Sequence, residues 1–202
     1  SGTGGVATKL TTTVYNISGV TLTKGSVVYL DGSHGFLPAA YLAQANSELT
    51  SATAYGVVVA DILDQNQGTV VHVGLAENLD THLLTEGAQL YLSSTVAGGY
   101  TETKPSAPDH MVFVGVCTRS HPIFGTIEVS LQNGYEIHEL HNVSALSPTN
   151  QDILRYNSTT SLWEKNSDLT TLETNYNANN AMGMRIIPSG TWYIGTNYES
   201  VI

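Results

Sequence analysis

A chain of 202 residues with 41% hydrophobic and only 12% charged side chains has room for one ordinary domain plus an appendage, or for two small domains. Its 17 acidic residues against 7 basic ones leave a net charge of −10, which repels a polyanion and excludes nucleic acid as a partner. No apolar run approaches the roughly 20 residues that span a bilayer, and the opening SGTGGVATKL lacks the charged and apolar parts of a signal peptide.

Residues 1–13 read as an N-terminal linker or arm, and the start at Ser1 fits either a processed product or a segment of a longer polypeptide. From Val14 onward, short runs of alternating apolar residues recur between turn residues: VYNI, SVVYL, YGVVVA, TVVHVG, AQLYLS, VFVGVCT and TIEVSL. That pattern predicts an all-β chain of many short strands. Two stretches read instead as a turn or two of helix, AAYLAQA at 39–45 and the segment around Tyr135–His141. The one cysteine, Cys117, sits in an apolar run, excludes an intrachain disulfide and reads as a small buried hydrophobe.

An internal repeat organises the strands. Leu22–Leu30 (LTKGSVVYL) matches Leu84–Leu92 (LTEGAQLYL), each position 62 later, and Asn16 falls on Asn78 at the same offset. Gly56-Val57-Val58 then resembles Gly115-Val116-Cys117, and Gly68-Thr69-Val70 resembles Gly125-Thr126-Ile127. Glycine is expected at these places for backbone conformations that a side chain obstructs. Three strands cannot bury both faces, so two copies around a shared core predict a pseudo-symmetric, duplicated β-barrel over residues 14–134.

After Gly134 the composition changes, and residues 135–168 read as a connector followed by a hairpin in which Tyr156 and Trp163 supply the apolar content. A hairpin of this size needs a partner surface. Residues 169–202 form an Asn-rich segment with short strands expected around Pro188-Ser189-Gly190.

Searches for chemistry find little. There is no nucleophile elbow, phosphate-binding loop, zinc-protease helix or dinucleotide fingerprint. His82 beside Asp80 and Thr81 reads as a polar turn, and Asp61 with Asp64 as a turn at a strand end. His138 and His141 stand three apart, so on a helical turn they share a face and are the weak candidates for a metal. Packing at a subunit contact is the preferred reading for both, and no cofactor is expected.

The stretch VYNISGVTLTKGSVVYL, with AYGVVVADI and the closing run GTIEVSLQNGYEIHELHNV, resembles a domain common in tail-fibre and related virion proteins of tailed bacteriophages, notably those of aquatic hosts. The similarity covers about Val14 to Val143, and the following DILRYN and LWEK resemble a short module found next in such proteins. The resemblance implies a structural role in the virion, in a tail, baseplate or head-surface appendage. It also implies homo-oligomers, often trimers, that contact other virion proteins. Tyr135, His138, His141, Tyr156 and Trp163 are then the expected subunit contacts. The alternative is a receptor-binding module that holds a host glycan or surface protein, with Trp163, Trp192 and Tyr193 as stacking residues.

Overall fold

The computed structural model describes residues 9–166, 184–186 and 192–194, and the chain divides into two compact units, 1–135 and 136–202. The first holds strands β1 (Lys9–Asn16), β2 (Val27–His34), β3 (Leu37–Leu42), β4 (Ala54–Val58), β5 (Gln67–Leu79), β6 (Gln89–Leu92), β7 (Tyr100–Thr101), β8 (Val112–Arg119) and β9 (Gly125–Asn133), with one short helix, α1 (Glu48–Ser51). The second holds β10 (Val143–Ser144), β11 (Ile153–Asn157), β12 (Leu162–Asn166), β13 (Met184–Ile186) and β14 (Trp192–Ile194). The described chain is thus nearly all β, as its short alternating runs predict.

The nine strands of the first unit pair in the order β1-β3-β2-β4-β5-β9-β8-β6-β7, and β1 also pairs with β5. The first five strands therefore run round a ring, though an uneven one: β1 meets β3 at only two positions, Tyr15–Ala39 and Asn16–Ala40, but lies along β5 from Lys9 to Tyr15. The other four strands extend from β5 and end at β7.

Adjacent valines divide between two cores, because successive side chains on a strand point to opposite faces. Val28, Val58 and Val70 join Val14, Leu22, Ala40 and Ile62 in one cluster. Val27, Val57 and Val71 join Leu90, Val114, Cys117, Ile127 and Val129 in the other, which contains residues of both halves. Burying each valine fully is worth about 1.5–3 kcal/mol, so Val27, Val57 and Val71 tie the first half to the second, while Val28, Val58 and Val70 hold the core of the first half itself.

The sequence repeat recurs in the strand registers. On β2 and β4, Val27 faces Val57, Val28 faces Gly56 and Tyr29 faces Ala54, with a bulge after Val28. On β6 and β8, Gln89 faces Val116, Leu90 faces Gly115 and Tyr91 faces Phe113, with a bulge after Leu90. The next ladder agrees: Val57–Val71 and Val58–Val70 correspond to Val116–Glu128 and Cys117–Ile127. Cys117 is fully buried where the first copy has Val58, and burial pushes its thiol up.

Glycine serves two different purposes in the repeat. At the turns before β2 and β6, Gly25 (φ +89°) and Gly87 (φ +81°) adopt left-handed backbone, and their amides donate to Val58 O and Cys117 O at 2.8 and 2.7 Å. The glycines that lead the later strands answer to crowding instead. A Cβ on Gly56 would stand 2.7 Å from Val71 O, and one on Gly115 would stand 2.0 Å from Glu128 O, the equivalent carbonyl. Cβ atoms on Gly68 and Gly125 would strike Ile62 and Thr81. The expectation that all these glycines supply special backbone conformations is corrected for Gly56, Gly68 and Gly125, whereas Gly115 combines the crowding with φ +158°.

Two further readings change. Asn16 is buried, and its amide donates to Val20 O and Ile62 O at 2.7 and 2.8 Å. Asn78 is exposed with φ +57°, and it is buried Thr81 that matches Asn16, its hydroxyl donating to Arg119 O at 2.7 Å and its amide to His121 O at 3.0 Å. The stretch Ala39–Leu42, read as helical, lies in β3, where Ala40 faces Leu30 and Tyr41 stacks on Tyr29 with ring centroids 5.4 Å apart. Local preference for helix yields here to cross-strand pairing and the burial of Ala39 and Ala40.

Candidate interaction surface

The hairpin of the second unit is built from β11 and β12, with Tyr156 opposite Trp163 and Arg155 opposite Glu164. Its four-residue turn is locally satisfied: Asn157 Oδ1 accepts the Thr159 amide at 2.9 Å, and Ser161 takes φ +59°. Glu164 reaches back to the turn, accepting Asn157 Nδ2 at 2.9 Å and Thr160 Oγ1 at 2.7 Å, and these bonds hold its carboxyl below the usual carboxylate range. The connector adds a third strand, because β10 lies parallel to β12 and the Trp163 amide donates to Asn142 O at 2.9 Å.

Strand alternation makes this small sheet two-faced. Val143, Trp163, Tyr156 and Leu154 fall on one face by register, with the stem of Lys165 beside them; Ser144, Glu164, Arg155 and Asn157 fall on the other, together with partly buried Ile153 and Leu162. On the apolar face Tyr156 and Trp163 pack at 5.6 Å between ring centroids and an interplanar angle of 58°. They nevertheless remain 50% and 43% exposed, and Leu154 is 38% exposed. A polar groove of about 310 Å³ runs along Arg155, Asn157, Glu164 and Asn166, taking in Tyr156, Ser158 and Lys165 but not Trp163.

The other candidates are placed differently. Tyr135 is 75% exposed and belongs to the first unit. His138 lies in a single 3-10 turn, Ile137–Glu139, with Nδ1 3.4 Å from a Glu136 carboxylate oxygen. That turn ends at Leu140, whose backbone is extended (φ −67°, ψ 133°), so His141 stands outside it and the two histidines do not share a helical face. Among the described residues no three His, Cys, Asp or Glu side chains converge to hold a metal. The side chains of Trp192 and Tyr193 lie outside the described residues; their backbones form β14, with Tyr193 opposite Arg185.

Several acidic side chains in the first unit are engaged with backbone. Asp61 accepts the Lys24 amide at 2.8 Å, Asp64 the Gly19 amide at 2.9 Å, and Glu86 the Ser120 amide at 2.9 Å. Asp80 and His82 form an exposed pair at 2.6 Å, which holds the Asp80 carboxyl low, while the Thr81 hydroxyl is turned to Arg119 O. Nothing in that loop aims a nucleophile at an imidazole.

Sequence reasoning selected Tyr156 and Trp163 but missed Leu154 and Val143 on the same face. The alternation Leu154-Arg155-Tyr156 carries the signal for the former, whereas Val143 is placed only by a parallel pairing from distant sequence. Comparison with protein-family models, with curated proteins and with solved structures gives no match to this chain.

Proposed function

We propose that this chain is a structural, non-enzymatic component of a tailed-bacteriophage particle, one module of a fibre or fibre-like appendage that assembles with copies of itself, as a trimer, and with neighbouring virion proteins. In this reading residues 14–134 are a duplicated, pseudo-symmetric barrel. The carrying observation is the half-exposed Leu154–Tyr156–Trp163 face on a sheet too small to be stable alone. Identical faces on symmetry-related subunits cover one another at every copy, which is the logic of closed cyclic oligomers. The virion context is supported by the sequence resemblance, and the trimer by its link to fibres. The non-enzymatic reading is supported by acidic side chains that serve as backbone anchors. Sugar recognition is less well supported, since the aromatic pair packs on itself and Trp163 stands apart from the hydrogen-bonding groove.

Light scattering tests the assembly. The full chain is expected to be a trimer, a chain ending at Tyr135 mainly monomeric, and the full chain carrying Trp163→Ser and Tyr156→Ser weakened in association. A truncated chain that stays trimeric would move the interface into the first unit and remove the role given to the aromatic face.

A further inference from the structure

We propose that His121 is a pH-sensitive latch on the connection between β8 and β9, fixing the turn that presents Ile123 and Phe124. The His121 Nδ1 accepts two backbone amides at once, from Ile123 at 3.0 Å and from Phe124 at 2.9 Å. A ring nitrogen accepts only when it carries no proton, so this turn requires the neutral imidazole with its proton on Nε2. The ring also lies against Phe124, with centroids 5.2 Å apart. Ile123 and Phe124 are 61% and 52% exposed, which makes them apolar groups held at the surface by hydrogen bonds rather than by burial.

The base of the turn is fastened independently of the ring. The Thr81 amide donates to His121 O at 3.0 Å, the His121 amide to Thr81 Oγ1 at 3.1 Å, and Ser120 Oγ to Thr81 O at 3.1 Å. Protonation puts a donor on Nδ1 against two donors, so both tip bonds are lost while the Thr81 fastening remains. The tip then opens as acid is added, and closes again as the ring loses its proton. The charged groups around it are Arg119 before Ser120 on the β8 side, Glu86, which holds the Ser120 amide, and the Asp80–His82 pair in the facing loop.

The test is NMR on the full chain at pH 7.5 and pH 5, values that span the ordinary imidazole range. Ring nitrogen shifts report the His121 tautomer, and amide exchange, corrected for its intrinsic pH dependence, reports the tip. Nε2–H is expected at pH 7.5, with protection of the Ile123 and Phe124 amides falling at least tenfold on acidification. His82→Asn should keep that fall. His121→Asn, whose Oδ1 accepts the same amides without titrating, should abolish it. A proton on Nδ1 at pH 7.5, unchanged protection through the titration, or an equal fall in His121→Asn would each overturn the latch.

Discussion

Replacing Gly115 with Ala, and Gly56 at the equivalent place, tests whether crowding fixes the glycines that lead the later repeat strands, since Gly115 joins crowding to a backbone at φ +158° while Gly56 meets crowding alone. The added Cβ would lie 2.0 Å from Glu128 O, 2.9 Å from its carbonyl carbon and 3.2 Å from Val129 Cα, all backbone atoms of the adjacent strand. None of these is the flexible end of a side chain, so β9 must move away or give up its pairing at Gly115–Val129. Overpacking costs about 1–3 kcal/mol and a lost ladder bond about 1 kcal/mol more, together about 3 kcal/mol. In a unit of this size that lowers the melting temperature by about 10 °C. Gly56→Ala meets the equivalent Val71 O at 2.7 Å and should fall short of that loss. Gly87→Ala is the control, since nothing lies within 4 Å and only the left-handed backbone opposes it, at about 1 kcal/mol. Thermal unfolding followed by circular dichroism, with urea titration alongside, measures all three. If Gly115→Ala melts no lower than Gly87→Ala, the close approach does not constrain the fold and the crowding argument fails.

Tyr100 is partly buried with its hydroxyl donating to Gly25 O, and the loss of solvent there pushes its ionisation well up, so stability is complete below the ordinary tyrosine range and is lost as pH rises above about 10. Urea midpoints should fall on that alkaline limb in the wild type and less steeply in Tyr100→Phe; identical slopes would contradict this. Cys117→Val restores the side chain of the equivalent Val58 position and should change unfolding free energy by less than about 1.5 kcal/mol, while the native thiol reacts with a disulfide reagent only as fast as the unit opens. Thr81→Val removes the buried hydroxyl that holds Arg119 O and should cost about 1–3 kcal/mol in urea unfolding; no loss would mean that the hydroxyl is not an anchor.

The repeat was legible because its signal lies in residues whose contacts are fixed by the backbone: Gly56 and Gly115 face equivalent carbonyls, and Tyr29 and Tyr91 follow equivalent bulges. Asn16 and Asn78 share letters but not roles, because loop-length differences shift the first strand of each copy and hand the buried anchor to Thr81. The strand Leu37–Leu42 was hidden by Ala and Leu, whose local preference is helical; only its partners on β2 and β1 make it extended. At the candidate surface, Tyr156 and Trp163 followed from a hairpin pattern that fixes a cross-strand pair. His138 and His141 failed as a helical pair because three-residue spacing has meaning only if the turn continues, and this one stops at Leu140.

Gly74 lies opposite Lys9 on one side of β5 and opposite Val129 on the other. β5 is thus paired with β1 from Gln67 to Gly74 and with β9 from Val73 to Leu79, so the five-strand ring and the four strands that extend from it share one continuous backbone. Neither group of strands can part from the other without breaking a ladder of β5, and the two groups are expected to lose their structure together rather than one after the other.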